Sequence, residues 1–281
     1  MRTAVALDVG GTKIAAAVVD EAGGILRRTA ELTGSDPWTT VLSVIAAVRS
    51  GSEVVCGVGC GGPMTAGGAE VSPLNIPAWR GFPLRERLRE LTGLSTFVDN
   101  DAKALALGEG WVGGATGEQS YLAMVVSTGV GGGIVLNGSL VDGAAGNAGH
   151  IGHVIVEPEG RACPCGARGC LEAEASGTAI RAITGRPAAE AGPEVVERTG
   201  RLVGRAVACV ANLLDLRLAL VSGSVALGFG APFFAAAQAE VDRSARLDFS
   251  RGARILPAGL GADGPVLGAA AVGWRGLSRT E

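Results

Sequence analysis

The stretch Thr3–Val19, TAVALDVGGTKIAAAVV, decides how the rest of the chain is read. Two β-prone runs, Thr3–Leu7 and Ile14–Val19, flank Gly10-Gly11, and a third, Ile25–Leu32, follows Gly23-Gly24. Short apolar runs punctuated by glycine predict a β-meander. Its first turn, Asp8-Val9-Gly10-Gly11-Thr12-Lys13, directly follows a strand. Paired glycines let backbone N–H groups face a phosphate chain, Thr12 adds a hydroxyl and Lys13 a positive charge. Asp8, at the strand end, is placed to hold Mg²⁺ through water. An ordinary hairpin turn with a stray lysine fits the same six residues. A P-loop does not, because the G-x-x-x-x-G-K-[ST] spacing is absent.

Outward from this stretch, Pro37–Arg49 reads as a helix capped by Asp36, and Glu53–Val58 as a strand. Leu84–Leu91 is helical, Thr96–Val98 strand-like and Ala102–Trp111 helical. The opening order then recurs: Tyr121–Val126 is a strand, Ser127–Gly133 a glycine turn and Ile134–Leu136 a strand. This is an internal duplication of pattern, though not of sequence. Thr128, Gly129, Val130, Gly131, Gly132, Gly133 and Ile134 are candidates to surround the β- and γ-phosphates opposite the first turn. A flexible turn is the alternative, but glycine at this density weakens strands. Further on come helix Glu194–Leu214, strand Leu218–Val221, Gly223, a helix through Phe233–Ala245, strand Arg254–Leu256 and helix Ala269–Trp274. The glycines between 110 and 119 mark the expected boundary between domains 1–114 and 115–281.

A chain of 281 residues suits two domains of roughly 100–200 residues. The net charge of −3, with acids and bases mixed, excludes the clustered Lys and Arg of a nucleic-acid binder. No signal-like h-region opens the chain, and no apolar run approaches the roughly 20 residues that span a bilayer. A cytoplasmic protein is therefore expected, without membrane partners. The 46 glycines fall in clusters between apolar runs, which suits tight turns or backbone close to a ligand. One cluster, Gly57-Val58-Gly59-Cys60-Gly61-Gly62, satisfies G-x-G-x-x-G, but Pro63 and a turn-rich segment follow where a dinucleotide site needs a helix.

Two further constellations carry chemistry. Asn100-Asp101 follows a strand and precedes a helix, so it suits a cap; Asp101 also suits a general base for an attacking hydroxyl, with Asn100 on neighbouring hydroxyls. The only two histidines stand in Gly149-His150-Ile151-Gly152-His153, and Cys163-Pro164-Cys165-Gly166-Ala167-Arg168-Gly169-Cys170 follows. In a reducing compartment, cysteines at this spacing read as metal ligands and not as a disulfide. His153 with Cys163, Cys165 and Cys170 makes a closed Cys₃His set, which is a structural zinc site because no position is left for water. Cys56, Cys60 and Cys209 read as small buried apolar residues.

These pieces, in this order, resemble the ROK family (repressors, open reading frames and sugar kinases) of the actin-like ATPase superfold. The most specific part is Gly146–His153 followed by Cys163-Pro164-Cys165-Gly166 and Gly169-Cys170-Leu171-Glu172. The resemblance implies an α/β fold of two ribonuclease H-like domains with ATP in the cleft between them. It implies that Asp8, Gly10, Gly11, Thr12, Lys13 and the second turn hold ATP, with Gly223 near the adenosine. It makes Asp101 the catalytic base and sets Gly62, Asn100, His150, His153 and Glu172 at the sugar. ATP, Mg²⁺ and structural Zn²⁺ are the implied cofactors, and a homodimer is common in the family. Val203–Leu214 suits either a dimer face or core.

The implied reaction is ATP-dependent phosphorylation of a hexose or N-acetylhexosamine at its 6-hydroxyl, as in glucokinases and N-acetylmannosamine kinases. His150 stands where most family kinases carry Glu, as it does in the N-acetylmannosamine kinases. A neutral imidazole offers one donor and one acceptor where Glu offers acceptors only, so it suits an acetamido carbonyl. The competing readings are a catalytically silent sugar-binding module and a sugar-responsive regulator. Family repressors carry a helix-turn-helix ahead of the first turn, and only seven residues precede Asp8, so none is expected.

Overall fold

The computed structural model describes residues 1–280. Strands β1 (Thr3–Val9), β2 (Lys13–Asp20) and β3 (Ile25–Leu32) are followed by α1 (Pro37–Val48), β4 (Val55–Cys60), α2 (Leu84–Thr92), β5 (Thr96–Asn100) and α3 (Asp101–Val112). Then come β6 (Tyr121–Val126), β7 (Val130–Leu136), β8 (Ser139–Leu140), α4 (Leu171–Ala175), α5 (Gly177–Thr184) and α6 (Pro193–Leu214). The chain ends with β9 (Leu218–Ser222), α7 (Ser224–Phe229), α8 (Ala231–Ser244), β10 (Arg254–Pro257) and α9 (Gly264–Ser278).

The chain divides into two compact units. One holds Met1–Thr116, Asp142–Ala148 and the chain from Leu260 onward; the other holds Gly117–Val141 and Gly149–Gly259. The linear division at 114/115 therefore misses two excursions of the later chain into the first unit: α9 and the short segment 142–148.

The first sheet has the order β3-β2-β1-β4-β5, the second β8-β7-β6-β9-β10. In each, the first three strands form an antiparallel meander and the last two run parallel to the meander's first strand. The duplication read from the pattern is thus a duplication of topology.

In the first unit, side-chain size sorts the two faces of the sheet. Val5, Leu7, Val9, Ile14, Ala16 and Val18 pack with Val41, Val44, Ile45 and Val48 of α1 and Leu84 and Leu88 of α2. The opposite face presents mostly smaller groups, Ala6, Ala15, Ala17 and Val19, to Val266, Leu267, Ala269 and Ala270 of α9. Alternation with period two puts successive residues on opposite faces, and the alanine face lets α9 come close. A Cβ added at Gly57 in β4 would stand 2.8 Å from the Cα of Gly273, and one at Gly268 would stand 2.7 Å from the carbonyl of Ala104. Part of the G-x-G-x-x-G run is thereby explained by helix packing.

In the second unit, Leu122, Met124 and Val126 of β6 and Val221 of β9 join Leu202, Val203, Ala206, Val207, Val210 and Ala211 of α6 and Phe233, Ala237 and Val241 of α8 in one core. Val203, Ala206, Val207, Val210 and Ala211 face the core, while Leu213 and Cys209 are exposed, so Cys209 is not the buried residue expected, whereas Cys56 and Cys60 are. No helix among the described residues is long and apolar enough to cross a membrane.

Candidate functional site

In the first unit, Asp8, Gly59 and Asp99 stand in register across β1, β4 and β5, which run parallel. They mark the carboxyl ends of those strands, where open α/β sheets bind ligands. β1 extends past the expected Leu7 to Val9, so Asp8 is fixed by the β1–β2 ladder opposite Ala15. The turn that follows is closed by Gly10 N–H donating to Lys13 O at 3.0 Å. Thr33 clamps it, its hydroxyl donating to Gly10 O at 2.7 Å and its amide to Thr12 O at 3.0 Å. Gly11 lies flush on Asn75, whose carbonyl oxygen would be 2.8 Å from an added Cβ. Gly11, Thr12 and Lys13 are exposed on this braced turn.

The carboxyl of Asp8 is pushed up to about 7, first by burial and then by the negative charge of Asp101; Lys13 and Arg28 act in the opposite sense. A carboxyl whose proton affinity is raised by burial and by a second acid beside it suits a cation-binding position. Asn100 is the N-cap of α3, its Oδ1 accepting from Ala102 N–H at 3.0 Å, and Asp101 opens the helix. The cap leaves the Asn100 amide nitrogen available, and it lies 3.5 Å from the place of a Cβ at Gly62.

In the second unit the glycine turn is shorter than its sequence suggests. Val130 to Ile134 belong to β7, paired with β6 from Val126↔Val130 to Leu122↔Ile134, so only Ser127, Thr128 and Gly129 form the turn. Gly131, Gly132 and Gly133 are therefore ladder residues and not loop. At Gly132 the bare backbone admits the chain at 149–151: an added Cβ would meet Ile151 Cγ2 at 3.0 Å and Gly149 O at 3.1 Å. The turn is pinned by Gly177 N–H to Ser127 O (2.7 Å) and by the Thr178 hydroxyl to Thr128 O (2.9 Å). Gly223, with φ of 100°, caps α7 against the Val126 backbone, and Ser224 Oγ lies 2.9 Å from Ser127 Oγ. Glu172 Oε2 accepts from Val130 N–H at 2.8 Å. Two residues expected to bind different substrates, Val130 and Glu172, are thus hydrogen-bonded to each other.

His150 and His153 flank one 3₁₀ turn, their ring centroids 6.0 Å apart. The ligand atoms of His153, Cys163, Cys165 and Cys170 all lie within 4.8 Å of one another. Cys163 Sγ is 3.8 Å from His153 Nδ1, and Cys165 Sγ is 3.7 Å from Cys170 Sγ. A tetrahedron with metal–sulfur bonds of about 2.3 Å has edges of about 3.8 Å, so the donor set fits a zinc ion. Burial first, and the neighbouring thiols second, push Cys170 up to about 12, whereas the Ala167 backbone and then Cys163 lower Cys165. A bound dication would deprotonate the set. Cys170 leads directly into α4, which carries Glu172, and Leu171 N–H donates to Val154 O at 2.9 Å.

Two charged groups escaped the sequence reading. Arg28, on β3, acts on Asp8 through space. Lys103 is buried in α3; the available clue was a lysine between two alanines.

Paired sheets of one topology, each with a glycine turn after its first strand, define the actin-like ATPase class. The chain belongs to the ROK family, whose sequence profile matches residues 4–274. It is 36% identical over 253 residues to an N-acetylmannosamine kinase of Yersinia pseudotuberculosis, covering 82% of this chain and 86% of that protein. It is 40% identical over 185 residues to a glucokinase of Thermotoga maritima, covering 63% of this chain. That match spans 58% of the Thermotoga protein, less than two thirds of its length. A ROK family glucokinase from Streptomyces griseus, solved with glucose and AMPPNP, superposes with a TM-score of 0.84 at 29% identity, covering 97% of this chain and 99% of that one.

Proposed function

We propose that this chain is an ATP-dependent sugar kinase that phosphorylates a hexose or N-acetylhexosamine on its 6-hydroxyl. The observation that carries this reading is Asp101 at the start of α3 with the Asp8 carboxyl close enough for each charge to act on the other. Asp101 takes the hydroxyl proton as the sugar oxygen forms its bond to the γ-phosphorus and the bond to the β–γ bridging oxygen breaks, releasing ADP. Such a base contributes about 100- to 10,000-fold in rate. Asn100, Gly62, His150, His153 and Glu172 are assigned to the sugar. Gly10, Gly11, Thr12 and Lys13, and Thr128, Gly129 and Gly223 of the second unit, are assigned to ATP. Asp8 is assigned to Mg²⁺ through water; the ion neutralises charge on the phosphates. His153, Cys163, Cys165 and Cys170 are assigned to one structural zinc ion.

The acceptor is chosen in part at His150, whose imidazole donates to an acetamido carbonyl where Glu cannot. ADP release with MgATP is measured on glucose, mannose, N-acetylglucosamine and N-acetylmannosamine in parallel. Turnover on at least one supports the kinase. Absence of turnover on all of them, with stoichiometric zinc bound, overturns it in favour of a sugar-binding regulatory protein. His150→Glu then lowers the ratio of kcat/KM for N-acetylmannosamine to that for glucose; an unchanged ratio removes His150 from specificity.

A further inference from the structure

Lys103 lies on the second residue after Asp101 in α3, and its side chain is only 4% exposed. A buried ammonium needs partners for all three of its donors. Its Nζ has them: Asp99 Oδ1 at 2.9 Å, Asp142 Oδ1 at 2.9 Å and the carbonyl of Gly146 at 3.2 Å. Arg275 of α9 meets the same two acids, at 3.0 Å from Asp142 Oδ2 and 3.5 Å from Asp99 Oδ2. Two cations and two anions thus form a closed, neutral ring inside the first unit. Burial opposes the charge on Asp142, but the hydrogen bond from Lys103 and the charge of Arg275 hold its carboxyl below the usual range.

Each end of this ring leads to a residue assigned above to the sugar. Asp99 Oδ1 also accepts from the Asn100 amide at 2.9 Å, so Lys103 fixes the strand end that carries Asn100 and Asp101. Asp142 and Gly146 belong to the compact segment Asp142–Ala148, itself closed by Ala148 N–H donating to Asp142 O at 3.0 Å. The next residues along the chain are Gly149 and His150.

We propose that Lys103 is a positioning residue for the sugar: with Asp99, Asp142 and Arg275 it locks segment 142–148 onto the end of β5, fixing the base's strand end and anchoring the chain from which His150 departs. The proposal rests on the sugar-kinase reading for its kinetic consequence, and on the ion ring alone for its structural one. Lys103, Asp99 and Arg275 are largely buried, so removing one member of the ring leaves the others uncompensated, and the segment loosens.

The test uses full-length protein with Lys103→Met and, because that variant leaves Asp99 and Asp142 short of a cation, also Asp142→Asn, whose side chain is 44% exposed. Sugar KM is expected to rise about tenfold or more in both, with ATP KM within about twofold, since the ring touches none of the residues assigned to ATP. Amide exchange in segment 142–148 is expected to quicken in both, whereas the Cys163–Cys170 loop keeps its rate. Parental sugar KM with parental exchange in both variants overturns the proposal, as does an equal rise in both KM values. If the parent turns over no sugar, the kinase reading fails while the exchange rates still decide whether Lys103 locks the segment.

Discussion

The two glycine turns occupy the same place in two sheets of the same topology, yet they are built from opposite materials. The first turn carries its own charges, Asp8 before it and Lys13 after it, and is braced by uncharged groups, the Thr33 hydroxyl and amide and the Asn75 backbone. The second turn, Ser127-Thr128-Gly129, has no charge of its own. Its carboxylate is borrowed from Glu172, which accepts from Val130 N–H 42 residues away in sequence and stands on a helix that starts after the last cysteine of the Cys₃His set. The duplicated scaffold therefore supplies geometry twice. Charge chemistry is written into the first copy, and the second takes its carboxylate from the helix that follows the Cys₃His set.

The difference is sharpened most by Asp101→Asn, which removes the base from the charged copy. We expect kcat to fall about 100- to 10,000-fold with Tm unchanged within error, since Asn still accepts from the amide that opens α3. Retained kcat would move the base elsewhere. Next in size is Cys165→Ser, which strikes the framework of the other copy. It should release zinc and cost roughly 3–5 kcal/mol of stability, read as a drop in the denaturant midpoint beside metal analysis of the purified chain. If the variant keeps its midpoint, the metal does not hold the second turn.

Glu172→Gln keeps the shape of the borrowed group and removes its charge. A hydrogen bond to a charged acceptor contributes about 1.5–3 kcal/mol, so ATP and sugar KM should both worsen by about tenfold or more. A change confined to the sugar would mean that the Val130 contact contributes nothing to nucleotide binding. The smallest effect is thermodynamic. Asp8 is raised from about 3.8 to about 7 in the folded chain, so the native state holds the extra proton between those values. Its burial is harmless below about pH 4 and destabilises progressively as pH rises through that window. Asp8→Asn should therefore add roughly 1–3 kcal/mol at pH 8 and nothing at pH 4. A gain that is the same at both pH values would contradict the raised pKa.

Much of this was legible in the sequence because it is local. Alternating apolar runs and glycine pairs specify a strand, a turn and a strand, and the recurrence near residue 130 announces the second copy. The Cys and His spacing announces the donor set, since His153, Cys163, Cys165 and Cys170 sit in one short loop region. What stayed hidden depends on long-range packing. Gly131, Gly132 and Gly133 look like loop until the chain at 149–151 is seen pressed on their backbone. The reason for glycine at 57 and 268 is hidden until α9 is laid across β4 and α3. The return of α9 and of 142–148 to the first unit has no local signature, and neither does Lys103, whose partners Asp142 and Gly146 lie far along the chain, as does Arg275, which binds the same acids.

The most direct test of the central claim is phosphorus NMR of the purified protein with MgATP and the best acceptor from the sugar panel. The account predicts that the γ-phosphate resonance declines as a sugar 6-phosphate ester grows in equal amount, and that Asp101→Asn slows both by about 100-fold or more. Loss of the γ-phosphate into inorganic phosphate alone, or no change with any sugar, would contradict it.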